Sequence, residues 1–306
     1  MTTALPTPLE PAPPGLGDGR DLFLKREDLH ELGAFKWRGA LPTVERYRAN
    51  GAELVVTAST GNHGAATAWA AERTGLRAVV YAPEGASAAK LAHVERLGAE
   101  IRLVGADLDA AKDAARTYAE AEDVPFFEDG AEREQYVGYG AIASEIVEQL
   151  GAREAAAVVV PVGNGALLGG IGVELCNNCP NTERIGVASK AAPVMVESWN
   201  AGEVVESGRS ATFADGLAVR VAIPLAVGVL GEVASRMIAV SERAIARAVG
   251  AFADAGIRVE GAAAAGLAAL PDLPELDGPV VLVVTGRNID DELYRRAVER
   301  PDSFPD

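Results

Sequence analysis

The chain has 306 residues, 49% of them hydrophobic, which is enough to bury the core of one large domain or two modest ones and too apolar for bulk disorder. Its 44 acidic and 28 basic residues leave a net charge of −16, which argues against a nucleic-acid partner, since that needs a basic surface. No apolar run reaches the ~18–20 residues of a membrane span, and residues 1–20 show no basic-then-apolar leader, so a cytoplasmic protein with no membrane partner is expected. Cys176 and Cys179 form one CxxC without a second pair, and His30, His63 and His93 are the three histidines. No zinc or His-rich metal centre is expected from these, and the cysteine pair reads as structural or incidental. Lysine is confined to positions 25, 36, 90, 112 and 190. Such an acidic, Lys-poor surface suits a salty host cytosol, where ions screen self-repulsion.

Before the first clear element come two lysines. Lys25, in Leu24-Lys25-Arg26-Glu27-Asp28, reads as solvated. Lys36, in Gly33-Ala34-Phe35-Lys36-Trp37-Arg38-Gly39-Ala40, lies between two aromatic residues in a stretch suited to partial burial. A desolvated lysine has a lowered pKa and becomes a nucleophile, whereas a surface helix lysine is the plainer alternative. Further on, short apolar runs predict strands at 54–58, 78–81, 100–104, 157–162, 184–188 and 280–284. Amphipathic or Ala-rich stretches predict helices at 64–74, 88–97, 108–121, 139–150, 167–175, 242–255 and 262–270, with a loop at 201–210. This alternation predicts an open α/β fold with mainly parallel strands, whose ligands sit beyond the carboxyl ends of the strands.

Three strand-to-helix turns stand out. Ser59-Thr60-Gly61-Asn62-His63-Gly64 offers backbone N–H groups at a helix start, a cradle for carboxylate or phosphate, with an ordinary N-cap by Ser59 or Thr60 as the alternative. Gly163-Asn164-Gly165-Ala166-Leu167-Leu168-Gly169-Gly170 is a glycine-rich phosphate cradle. It also approximates a dinucleotide fingerprint, but it lies mid-chain, and Glu183 precedes a strand instead of ending one. Nicotinamide binding is therefore the lesser reading. Thr285-Gly286-Arg287-Asn288 places a hydroxyl at a buried strand end, where it could meet a ligand heteroatom or simply cap a helix.

Together these segments resemble the pyridoxal-phosphate enzymes of the tryptophan synthase β type (fold type II), in the threonine dehydratase and serine racemase branch. The stretches around Lys25 and Lys36 are similar to the family's lysine motif, and 59–64 resembles its substrate-carboxylate loop. Thr212-Phe213-Ala214-Asp215-Gly216-Leu217-Ala218-Val219 is close to a dehydratase signature, and Val259-Glu260 before an Ala/Gly-rich helix matches another family segment. The resemblance runs over about residues 5–300 in the correct order.

It implies pyridoxal 5′-phosphate carried on Lys36 as an internal aldimine, with Lys36 then removing the substrate α-proton. Phe35 would pack near the ring and Asn62 would bond the ring hydroxyl oxygen. Gly163, Asn164, Gly165, Ala166 and Leu167 would hold the phosphate, and Thr285 would meet the pyridine nitrogen. Ser59, Thr60, Gly61, His63 and Glu260 would serve the substrate. The implied reaction is threonine/serine ammonia-lyase chemistry, β-elimination from a small hydroxyamino acid to a 2-oxo acid and ammonia. Alternatives are a threonine synthase-like β-replacement enzyme, a racemase, or a protein that only stores or senses the cofactor.

Some residues depart from the family. Thr60 stands where racemases have Ser, Trp37 where synthases tend to have Asp, and residues 189–195 hold no carboxylate where metal-activated members carry two. No divalent metal site is expected there, nor a C-terminal regulatory domain. The expected architecture is two open, twisted, mainly parallel sheets flanked by helices. A small α/β domain would span 54–129 and a large cofactor-binding one 1–53 and 130–306, with the site in the cleft, and the assembly would be a homodimer.

Overall fold

A computed structural model describes residues 6–17 and 19–306. The strands are β1 (Leu9–Pro11), β2 (Leu22–Arg26), β3 (Leu54–Ala58), β4 (Arg77–Ala82), β5 (Glu100–Leu103), β6 (Ala157–Pro161), β7 (Glu183–Ser189), β8 (Arg236–Val240) and β9 (Val280–Val284). The helices are α1 (Trp37–Ala49), α2 (Asn62–Thr74), α3 (Ala88–Arg96), α4 (Leu108–Ala121), α5 (Arg133–Leu150), α6 (Ala166–Asn178), α7 (Val194–Ala201), α8 (Pro224–Val233), α9 (Glu242–Asp254), α10 (Gly261–Ala268) and α11 (Asp291–Glu299). They fall into two compact units: Lys36–Gly138, and the described part of Met1–Phe35 with Tyr139–Asp306. No described helix is long and apolar enough to cross a membrane.

In the larger unit the strand order is β1-β2-β9-β6-β7-β8. All neighbours are parallel except β1, which runs antiparallel to β2. The centre of the sheet is the Val-rich pair β6 and β9, every residue of which is buried, as expected of strands covered on both faces. Against them packs α10, whose run Gly-Ala-Ala-Ala-Ala-Gly-Leu has no bulk to hold it away from the strands. Ile245, Val249 and Phe252 of α9, spaced by helical turns, join the same core.

In the smaller unit β3, β4 and β5 are all parallel. Residues 125–127 extend this sheet beside β3, with Val56 N–H donating to Pro125 O and Phe127 N–H to Val56 O. One face is covered by Ala111, Ala115 and Ala119, which line a single stripe of α4. On α1 and α2, the Trp37 and Trp69 rings meet edge-on at 6.1 Å.

The expected mainly parallel α/β architecture is present. Three strands and four helices lie outside the expected set. β1 is three residues long, and β8 is an edge strand with little fully buried surface. α8 is apolar nearly all round, so it shows no periodicity, and α1 starts without a side-chain cap and contains Pro42. α7 has eight residues and α11 nine, each little more than two turns. The helix expected from 139 begins at Arg133.

The reading of Lys25 as solvated is corrected. Its side chain is fully buried on β2, where Nζ donates to Thr7 O at 2.6 Å, Glu145 Oε2 at 2.5 Å and Gln149 Oε1 at 3.0 Å. Three acceptors converging on one ammonium are what make its burial tolerable. Thr7 also donates to the buried Glu27 at 2.5 Å, so the cluster fastens the N-terminal segment to α5 and β2. Replacing Lys25 by Met keeps the volume and removes the cation facing Glu145. The expected loss is about 3 kcal/mol of stability, read as a lower denaturation midpoint; an unmoved midpoint would show that the ammonium contributes nothing net.

Candidate active site

Parallel strands deliver all their carboxyl ends to one edge of a sheet, and in both units the chemically unusual residues leave from that edge. In the smaller unit, Ser59 follows β3 and its N–H donates to Tyr81 O at 3.0 Å. The Ser59 hydroxyl accepts Gly61 N–H at 3.1 Å, which closes the turn. The N-cap of α2 is Gly61, with no side-chain cap, so neither Ser59 nor Thr60 caps this helix. The N–H groups of Asn62, His63 and Gly64 therefore have no helical carbonyl to meet, and they sit at the positive end of the helix. Such a helix start suits an anion.

Lys36 is the N-cap residue of α1, and its side chain is only 15% exposed. Its Nζ lies 2.6 Å from Asp129 Oδ2. Asp129 arrives there because residues 125–127 run beside β3 and leave the sheet at the same edge as Ser59. Gln135, fully buried, donates to Asp129 Oδ1 at 3.1 Å and accepts Gly130 N–H at 2.8 Å, holding the carboxylate in place. Burial alone would raise the Asp129 pKa. The charge of Lys36 first, then the neighbouring His63 ring and the bonds from Lys36 and Gln135, outweigh it and hold the carboxyl well below the usual range.

The His63 imidazole is buried edge-on against Phe127, ring centroids 4.6 Å apart. Nε2 lies 3.0 Å from Thr57 Oγ1 and 3.3 Å from Phe127 O, and Nδ1 lies 3.6 Å from Asp129 Oδ1. Burial lowers its pKa, with Lys36 adding to the effect and Asp129 opposing it. Sequence reasoning missed Asp129. The available signal was an acidic residue just after the short apolar strip Pro125-Phe126-Phe127.

In the larger unit the glycine-rich turn follows β6. Gly165 is the N-cap of α6 with φ of +90°, a conformation that L side chains rarely adopt. At Gly163 an added Cβ would lie 2.3 Å from Gly216 O, so the 215–217 segment rests against the turn's main chain. That segment is tied down by Glu242, which accepts from Phe213 N–H and Thr212 Oγ1, both at 2.8 Å, and from Ser189 Oγ at 2.5 Å. Of the N–H groups expected to face a phosphate, that of Ala166 donates to Asn164 Oδ1 at 3.1 Å. Asn164 thus acts as an internal stand-in for an anion at that one donor.

Thr285 leaves β9 at 2% exposure, and its hydroxyl is a buried polar atom with no hydrogen-bond partner among the described residues. It is not a helix cap, because α11 is capped by Asp290. Phe35 N–H donates to Thr285 O at 3.0 Å, and the Phe35 ring lies 5.1 Å from that of Tyr139. The buried Glu260 precedes α10, its side chain makes no cap bond, and its N–H donates to Gly286 O at 3.0 Å. Lys36, His63 and Ser59–Asn62 therefore gather in one unit, while Phe35, 163–167, Glu260 and Thr285 gather in the other.

These residues suit pyridoxal phosphate. The orphaned Thr285 hydroxyl lacks a partner that a heterocyclic nitrogen would supply, and the Gly163 and Gly165 main chain opens a helix toward an anion.

Residues 2–286 match the family model described as pyridoxal-phosphate dependent enzyme. An L-threonine ammonia-lyase of Thermotoga maritima is 33% identical over 288 residues, covering 92% of this chain and 71% of its own. One from Geobacter sulfurreducens is 33% identical over 286 residues with the same coverage. Among solved structures, the processed form of threonine deaminase isoform 2 from Solanum lycopersicum superimposes with a TM-score of 0.91 at 28% identity, over 96% of this chain and 88% of that one. A pyridoxal 5′-phosphate-dependent aspartate racemase gives 0.84 at 26% identity, over 94% and 92%. By this match, and by a half-buried lysine at the start of α1 together with two uncapped helix starts and a buried orphan hydroxyl at strand ends, the chain belongs to the pyridoxal-phosphate dependent enzymes of fold type II.

Proposed function

We propose that the protein is a threonine/serine ammonia-lyase of the cytoplasm, acting as a homodimer and eliminating the β-hydroxyl of a small hydroxyamino acid to give a 2-oxo acid and ammonia. The observation that carries this reading is Thr285, a neutral buried hydroxyl at the end of β9. The named relatives support it.

When bound, pyridoxal phosphate supplies an aldehyde that takes up amino groups and a conjugated ring that draws electrons from the substrate α-carbon. Lys36 would carry the cofactor, and its amine would remove the α-proton. Phe35 would pack near the ring. Gly163, Asn164, Gly165, Ala166 and Leu167 would hold the phosphate at the start of α6, and Asn62 would bond the ring hydroxyl. Thr285 would meet the ring nitrogen and, being neutral, would not stabilise positive charge there. Less charge is withdrawn than beside a carboxylate, which favours prompt loss of the β-substituent over transamination. Ser59, Thr60, Gly61 and His63 hold the substrate carboxylate through the uncapped N–H groups of α2, with Glu260 on the substrate side. Movement of a lobe around 54–129 would exclude water during elimination.

A racemase is the second reading, favoured by the likeness to the aspartate racemase. It needs an acid/base on the second face of the substrate, and Thr60 is the residue in the racemase serine's place.

Two measurements test the proposal. The purified protein should release 2-oxobutyrate from L-threonine, and borohydride should fix the cofactor on the Lys36 peptide. Inversion of a chiral amino acid without 2-oxo acid would favour the racemase, and fixation elsewhere would end the scheme. Gly165→Ala places a side chain in left-handed backbone and 2.9 Å from Leu230 Cδ1 and Met195 Cε. Its affinity for the cofactor, read by fluorescence titration, should fall on the order of tenfold, equivalent to about 1.4 kcal/mol.

A further inference from the structure

We propose that Lys36 and His63 share one proton across Asp129, so that His63 takes up a positive charge whenever Lys36 gives one up. The inference rests on the assignment of Lys36 as the cofactor-bearing base, and it concerns how the charge state of that base is set.

The geometry supplies the parts. Asp129 touches Lys36 Nζ through Oδ2 at 2.6 Å and faces His63 Nδ1 through Oδ1 at 3.6 Å. The first distance is a charge-assisted hydrogen bond and the second is beyond hydrogen-bond reach. On the far side of the ring, Nε2 stands 3.0 Å from Thr57 Oγ1 and 3.3 Å from Phe127 O. The Thr57 hydroxyl itself donates to Phe127 O at 2.8 Å, so both neighbours of Nε2 present lone pairs. Nε2 therefore carries the ring proton, and Nδ1 presents its own lone pair to a carboxylate. Two acceptors in a buried place, just out of contact, form an arrangement that one added proton converts into an ion pair.

The charges around the pair are accounted for. Lys112 also disfavours a charged His63, but it is matched by Glu128 at 2.7 Å. Tyr136 packs near Asp129 and donates to Gly130 O at 2.9 Å. Its phenol is pushed up by burial first and by the Asp129 charge second, so it keeps its proton and does not compete. Burial lowers the His63 pKa, Asp129 raises it and Lys36 lowers it. Withdrawing the Lys36 charge removes one of the contributions that keep the ring neutral and leaves the Asp129 carboxylate facing His63 without its ammonium partner.

The transfer balances. One N–H bond of the Lys36 ammonium breaks and its electron pair stays on Nζ as the amine lone pair. The proton passes to Asp129 Oδ2, and after the carboxyl turns toward the ring that O–H bond breaks as the proton binds the Nδ1 lone pair. Asp129 ends as the carboxylate it was, and the summed charge of the three groups does not change. In the reverse direction the ammonium is restored. Lys36 can thus become an amine, able to attack a carbonyl carbon or accept an α-proton, without leaving Asp129 as an unpaired anion beside it.

The experiment is ¹⁵N NMR of histidine-labelled protein, as cofactor-stripped and as holoenzyme, with His63 assigned by loss of its signals in His63→Gln. In the stripped protein at pH 7.5 the expected form is neutral, with Nε2 protonated and Nδ1 bare. On loading the cofactor, the His63 titration midpoint should rise by about one pH unit or more. In Asp129→Asn the rise should vanish. If Asp129→Asn does not fold, the stripped and loaded forms of the parent decide alone. Equal midpoints in those two forms, or a proton on Nδ1 in the stripped protein, would overturn the proposal. Borohydride mapping separates the two layers: fixation away from Lys36 sinks both, whereas fixation on Lys36 with an unmoved His63 sinks this one only.

Discussion

Parallel pairing is the constraint on which everything else in the two sheets depends. A parallel ladder gathers the carboxyl ends of its strands on one edge, and the chain leaving that edge turns toward helices whose first N–H groups need a partner from outside the helix. β3 and the 125–127 strip in one sheet, and β6, β7, β8 and β9 in the other, all hand their next residues to that edge. Lys36 meets Asp129 because the 125–127 strip ends beside β3. Glu242 meets Ser189 because β7 and β8 are neighbours, and Glu260 reaches Gly286 through the chain that leaves β9.

The electrostatic problem of the site follows from composition. A chain with a net charge of −16 and five lysines has few side-chain cations to offer an anion. The starts of α2 and α6, neither of them closed by a side-chain cap from the N-cap residue, supply positive potential from aligned peptide dipoles instead. Among the described residues near Asp129, the lysine at position 36 is held at 2.6 Å by a carboxylate instead of facing outward.

Much of this was legible in the sequence where one physical effect dominated. The runs 54–58 and 280–284 are continuous Val-rich strands buried on both faces, and their bounds coincide with β3 and β9. The three turns were found because free backbone donors need small residues at strand ends. What stayed hidden was what depends on distant partners. Lys25 looked solvated because the acceptors that neutralise it lie 18, 120 and 124 residues away. Asp129 carried no local mark, as its partner Lys36 is 93 positions distant. Glu242, in the first turn of α9, carried no local mark either, because the Phe213 N–H that it accepts lies 29 positions away. α8 escaped because a helix apolar on most faces has no period to read.

The orphaned hydroxyl of Thr285 also ties folding to the cofactor. Leaving a buried donor without an acceptor costs about 1–3 kcal/mol, a sizeable share of the margin by which a domain stays folded. A ligand that supplies the acceptor recovers that cost, so the native state is favoured in proportion to how much cofactor surrounds the newly made chain. One side chain at the end of one strand thus couples the stability of the fold to the presence of its prosthetic group.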